Sequence, residues 1–369
     1  MPPKKTKKPV GSSSQKTSQK RKYVEDESEE SSSAPNLSPA ASNLRRSSRI
    51  SSQSSNLKEA LRDLDLEALE LVETKTNRFD LPSSASKFYP DNLKLLKITF
   101  VGASAEKDVI PEVPVAQIQA TFQKLDKYLL PTIDSETLGN YKFDVTTHTD
   151  ITSEKVQTFV TKLHNVVING AQQTGTDETF TDTLIDDLLR IVKLNNFPLM
   201  IRNHPISKIY IKGGGIVTSD PEFVIQEKGK LSLLVVEKNV TSATGYGESQ
   251  IAAEMLACGS ENLRYLGKET HTDQTILAMR VISTYVTFYK TVIKAEYWKE
   301  LDSGLPKEEE VQIQRWPAEN SLRAGFDFAE PTDRQTVFEA LAKIRESLLV
   351  ESNEVQTEAV TAGGSGSNK

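Results

Sequence analysis

The hydrophobic positions of this chain change period along its length. Leu57, Leu61, Leu64, Ala68 and Leu71 step by four and three behind an Asn56/Glu59 cap, which predicts a helix. The same spacing returns at residues 115–130 (Ile118, Phe122, Leu125, Leu129) and 153–170 (Val156, Val160, Leu163, Val167). A further helix is expected over 177–193, with Leu184, Ile185, Leu188, Leu189, Ile191 and Val192 as its apolar positions. Short strand-like runs follow at 206–212, 223–226 and 231–236. Gly213-Gly214-Gly215 separates the first two, and a Glu227-Lys228-Gly229-Lys230 turn separates the last two. Residues 231–236 are almost continuously apolar, as in a central strand buried on both faces. Helical spacing resumes at 248–266, strand-like runs at 276–281 and 285–293, and a last helix at 333–349. This order predicts an α/β (α+β) fold, a mixed sheet flanked by helices. Four segments are expected: a disordered basic, Ser-rich tail (1–56), a mainly helical region packed on the core (57–174), a sheet-bearing domain (175–350) and a disordered tail (351–369).

Composition narrows the setting. Residues 1–56 hold 16 Ser and too few apolar residues to offset the entropy of ordering. The start has no apolar signal segment, and no run reaches the roughly 18 apolar residues of a membrane span, so an intracellular protein without a membrane partner is expected. The single cysteine, Cys258, and four His exclude an internal disulfide and a zinc site of the usual kind. Charge is uneven. Residues 1–57 carry 11 basic and 5 acidic side chains, a net of +6, so a total of −6 leaves −12 on the rest. The clusters at 4–8 and 20–22 read as signals for an import receptor, and hence for the nucleus.

The candidate chemistry lies among acids at strand ends. Pro221-Glu222 opens one strand and Glu237 closes the next, so a hairpin can set the two carboxylates side by side. Glu178 begins the helix before them, Gln250 rides the helix after them, and Asp220 precedes Glu222 by two residues. Carboxylate oxygens are hard ligands suited to Mg²⁺, which lowers the pKa of a bound water and steadies charge on a phosphoryl group. A neighbouring lysine usually helps to orient the water and neutralise the phosphate. Gly213-Gly214-Gly215 lacks the Gly-Lys-Ser/Thr ending of a phosphate loop. Cys258, Trp298 and Trp316 are expected in the core.

The stretches Pro221-Glu-Phe-Val-Ile, Leu231-Ser-Leu-Leu-Val-Val-Glu-Lys-Asn and Tyr246-Gly-Glu-Ser-Gln-Ile-Ala-Ala-Glu-Met-Leu-Ala, with the later Tyr285-Val-Thr-Phe-Tyr-Lys, resemble the PD-(D/E)XK, restriction-endonuclease-like nuclease superfamily. More narrowly, they are similar to fungal proteins related to the nuclease domains of Crinkler-type effectors. The resemblance covers roughly residues 175–320. It implies a helix, a three-stranded meander, a helix and a further strand in one mixed sheet. It also implies Mg²⁺-dependent phosphodiester hydrolysis on DNA or RNA. Residue by residue, it assigns Glu222 (or Asp220) and Glu237 to the paired acids and Glu178 to the acid of the first helix. Gln250 becomes the helix Gln near the metal, and Lys238, or else Lys208 or Lys212, a displaced cation. Asn239 stands where the family carries its Lys. Two other readings remain open: a pseudo-nuclease kept as a nuclear binding or regulatory module, and an interaction protein whose acids are surface groups.

Overall fold

The computed structural model describes residues 81–171, 177–212, 215–237, 247–266, 271–321 and 323–363. The Asn56–Leu71 helix, the basic tail and the import clusters lie outside them. In chain order the elements are α1 (Pro90–Leu95), β1 (Ile98–Gly102), α2 (Val115–Leu129), α3 (Ser135–Leu138), α4 (Glu154–Gly170), α5 (Glu178–Ile191), β2 (Leu199–Asn203), β3 (Ser207–Ile211), β4 (Gly215–Ser219), β5 (Phe223–Glu227), β6 (Lys230–Glu237), α6 (Glu248–Leu266), β7 (Gln274–Ile282), β8 (Tyr285–Ile293), α7 (Ala295–Leu301), β9 (Val311–Trp316), β10 (Phe326–Asp327) and α8 (Pro331–Gly363).

One mixed sheet runs β1-β9-β8-β7-β6-β5-β2, with β10 attached to β8. Within it β2, β5 and β6 form an antiparallel meander, and β7 lies parallel to β6 after the crossover through α6. The expected helix, meander, helix and strand are therefore present as α5, β2-β5-β6, α6 and β7. The first meander strand differs from the expected one. Residues 206–212 leave the sheet and pair with β4 as a separate hairpin, while Leu199–Asn203 takes the place beside β5. Both runs are short and apolar, so periodicity alone does not choose between them.

Side-chain alternation divides the core in two. On one face Phe223, Ile225, Leu233, Leu277, Met279 and Val281 pack under α2, α4, α5 and α8. On the other, Val224, Ile276, Ala278, Tyr289, Val311 and Ile313 pack under α1, α6, α7 and the β3–β4 hairpin. The sheet is thus a middle layer between two helical layers. Residues 57–174, expected to be mainly helical, also supply a strand: β1 pairs in parallel with β9 at the sheet edge. All described residues fall in one unit, Asp65–Lys369, which runs across the boundary expected at 175 because α2 and α4 share a core with β5–β7. The tail expected from 351 on continues as helix to Gly363.

The β5–β6 turn is a two-residue hairpin with Lys228 at φ 45° and Gly229 at φ 98°. Two positive φ values match the right-handed strand twist. A Cβ at Gly229 would lie 2.2 Å from the ring of Tyr265 of α6, an exposed side chain that would have to swing aside.

Arg334, fully buried in the first turns of α8, fastens the end of α2. Its guanidinium donates to the carbonyls of Leu129, Leu130, Ile133, Phe328 and Ala329. Burial pulls its pKa down to about 10 against the pull of Glu330, Asp327 and Asp134, so it stays cationic at neutral pH. Arg334→Met leaves these carbonyls without their donor, at about 1–3 kcal/mol for each one left unsatisfied. Urea unfolding is expected to show a loss of at least about 3 kcal/mol; a loss below about 1 kcal/mol would refute the role.

Candidate functional site

The site is built from the β6–α6–β7 crossover. Parallel strands need such a connection, and its helix must bury one side on the sheet. Nearly every side chain from Ile251 to Ser260 is buried, including Cys258, whose thiol burial pushes up to about 12. Glu254 is buried within this apolar stretch, 1 % exposed. Gln250, one turn earlier, donates to it from Nε2 to Oε1 at 2.6 Å. Glu248 opens the helix and pairs with Arg315 of β9. Arg315 also donates from Nε to the Ala318 carbonyl at 3.0 Å. Below them Arg280 of β7, 1 % exposed, donates to Asn320 Oδ1 (3.0 Å) and Thr287 Oγ1 (3.2 Å). Its guanidinium carbon lies 5.6 Å from the centre of the Tyr289 ring. Two carboxylates, two guanidiniums, an amide and a phenol thus share one layer, with Glu254, Arg280 and Tyr289 buried and Glu248, Gln250 and Arg315 half-buried.

Register brings Glu222 to this layer's edge. Phe223 pairs with Val235, and Val236 pairs with Arg280. Glu222, half-buried and one residue before β5, is therefore level with Val236 and Arg280. Its carbonyl accepts from the His204 N–H at 3.1 Å. Glu237 pairs with Val281, one row further on. Consecutive rows alternate between the two faces of a sheet. The Glu237 carboxylate, and Lys238 and Asn239 altogether, lie outside the described residues. Asp220 is exposed, with Oδ1 3.7 Å from His204 Nδ1. Lys208 lies on β3 and Lys212 just beyond it, in the hairpin and not the main sheet.

Glu178 belongs to the other layer. Asp177 caps α5, accepting from Thr179 N (3.0 Å) and Oγ1 (2.7 Å), bonds that hold its carboxyl below the usual range. Buried Asn169 of α4 fixes this corner through the Asp177 N–H and carbonyl. Glu178 follows, exposed, on a helix packed on the face opposite α6. Among the described residues it forms no ion pair or hydrogen bond with another candidate. Trp298 and Trp316 pack as expected, the first buried and the second against Phe288 and Phe326.

Glu248, Glu254, Arg280, Tyr289 and Arg315 were not singled out from the sequence. A signal existed for two of them. Glu254 stands four residues after Gln250 in an apolar helix, and Arg280 interrupts an apolar strand; a charge in such a setting is costly unless partnered. Among the described residues no three His, Cys, Asp or Glu side chains form a group that could hold a metal. The donors present, carboxylate and amide oxygens, suit Mg²⁺, which keeps several of its waters and needs only one or two protein carboxylates. No helix among the described residues is long and apolar enough to cross a membrane. No family model matches the chain, and no curated protein matches it.

Burial raises the Glu248 pKa, opposed by Arg315 and Arg280. The folded state then holds this proton more tightly than the unfolded chain. The group's contribution to stability is greatest in acid and falls as pH rises from the ordinary carboxylate value through the raised one. Glu248→Gln removes this titration. Between about pH 4 and about pH 8, the stability difference should therefore shift in favour of the variant. Parallel stability–pH curves for variant and native chain would refute the shift.

Proposed function

We propose that this chain hydrolyses phosphodiester bonds of nucleic acid with the help of Mg²⁺. The reading is carried by one observation: a Pro-Glu at the head of the second meander strand, level with a row crossed by a helix bearing Gln250 and Glu254. A β2-β5-β6-α6-β7 arrangement behind α5 is what the resemblance to PD-(D/E)XK nucleases implies, and it supports that kinship. Glu222 and Glu254 would supply carboxylates to the ion, with Gln250 orienting Glu254. When bound, Mg²⁺ would supply a water of lowered pKa and neutralise phosphoryl charge. Water oxygen bonds to phosphorus as one P–O ester bond breaks, and the proton that the water gives up is balanced by the one the departing alkoxide takes up. Arg280, held by Asn320 and Thr287, would stabilise charge that grows on the phosphate. Lys238 remains a candidate from the sequence for the cation, whereas Glu237, expected beside Glu222, stands one row further on, where strand alternation turns it to the opposite face of the sheet. The basic clusters at 4–8 and 20–22 fit action in the nucleus.

A second reading, a non-catalytic binding module on the same scaffold, is favoured by the Glu248–Arg315 pair. That pair already balances one of the cluster's acids with a guanidinium, without a metal.

Incubation of the full chain with supercoiled plasmid and Mg²⁺ separates the two. Nicking or linearisation is expected, abolished by EDTA and reduced at least about 100-fold by Glu222→Ala, Glu254→Gln or Lys238→Ala. Cleavage unchanged in Glu222→Ala would reject the assignment of that residue, and no turnover with any divalent ion would favour the binding module.

A further inference from the structure

Away from the crossover, a groove of about 480 Å³ opens between α2, α4 and the C-terminal end of α5. Lys124 and Lys127 of α2, Lys155 of α4, and Arg190 and Lys193 at the end of α5 line it, together with Asp187. Lys124 and Lys127 are three residues apart, so they share one helix face. Arg190 is engaged by Asp186, and Asp187 by Lys162 at 3.3 Å. The four lysines have no carboxylate within ion-pair distance among the described residues. Lys127 Nζ lies 5.1 Å from the centre of the neighbouring Tyr128 ring. Gathering cations this way is unfavourable unless an anion neutralises them, and it occurs on a chain whose residues beyond 57 sum to −12.

We infer that this groove binds the phosphodiester backbone of a nucleic acid. Several point charges along an open channel suit a run of phosphates, which lysines contact without reading bases. No exposed large hydrophobic side chain lines the groove, so an apolar anchor for a lipid surface is missing there. The basic tail of residues 1–57 carries charge of the same sign and would add to the same attraction. The inference does not need the chain to cut what it binds.

The test uses the full chain in EDTA, with a short duplex DNA, a single-stranded RNA of equal length and polyglutamate as probes. Lysine acetylation rates are read residue by residue by mass spectrometry. With saturating DNA or RNA, Lys124, Lys127, Lys155 and Lys193 should be protected, while exposed Lys142 and Lys299 label at their free rates. The triple variant Lys124→Gln/Lys127→Gln/Lys155→Gln should bind duplex at least about tenfold more weakly and flatten the salt dependence by about 0.9 per lost phosphate contact. The corresponding Lys→Arg variant should restore both. Absence of nucleic-acid binding would overturn the inference. So would binding that leaves the groove lysines unprotected and the salt slope unchanged, which assigns the affinity to the tail. Protection by polyglutamate alone would assign the groove to an acidic protein instead. Since cleavage is suspended in EDTA, none of these outcomes depends on the hydrolytic reading.

Discussion

The parallel pairing of β6 with β7 is the constraint on which the rest of this molecule depends. Two parallel neighbours cannot be joined by a turn; the chain must cross the sheet and return. Here α6 makes that crossing, and its small side chains at Ala252, Ala253, Ala257 and Gly259 let it lie close to its neighbours. A Cβ on Gly259 would meet the Trp298 ring at 2.7 Å. Once α6 is fixed, anything polar on its inner side is buried with it. Glu248, Gln250 and Glu254 therefore enter the same layer as Arg280 and Arg315, where the Glu248–Arg315 pair, the Gln250–Glu254 bond and the bonds of Arg280 to Asn320 and Thr287 offset part of the cost of burial.

That forced proximity links the fold to its chemistry. Burial opposes ionisation of Glu248 and Tyr289, while the two guanidiniums favour their charged forms. The groups of this cluster are held by strands and a helix. The same arrangement balances part of its own charge through the Glu248–Arg315 pair.

The second charged feature is organised by a different principle. The groove between α2, α4 and α5 is open, its cations lie on helices of the opposite layer, and four of its lysines lack acidic partners among the described residues. Open point charges act through long-range attraction and are sensitive to salt, whereas the buried cluster acts through short, fixed bonds.

The sequence by itself determined the local periods. The α2, α4, α5, α6 and β8 segments lie where spacing alone puts them, and the burial of Leu231, Ser232 and Leu233 in β6 agrees with its almost continuously apolar run. It also offered Glu222 at a strand head and Gln250 on the following helix as candidate neighbours, Cys258 as core and Trp298 as a packing residue, and the last two are buried. Only the tertiary structure decided which strand borders β5, that β1 joins β9, that Glu178 and Gln250 stand in different helical layers, and that Arg315 meets Glu248. The reason is physical. A residue's periodicity reflects whether one side of its own segment is wet or dry, which is written locally. Register and partnership arise from the joint packing of segments far apart in the chain, where 199–203 and 207–211 compete with equal apolar character and the whole core chooses.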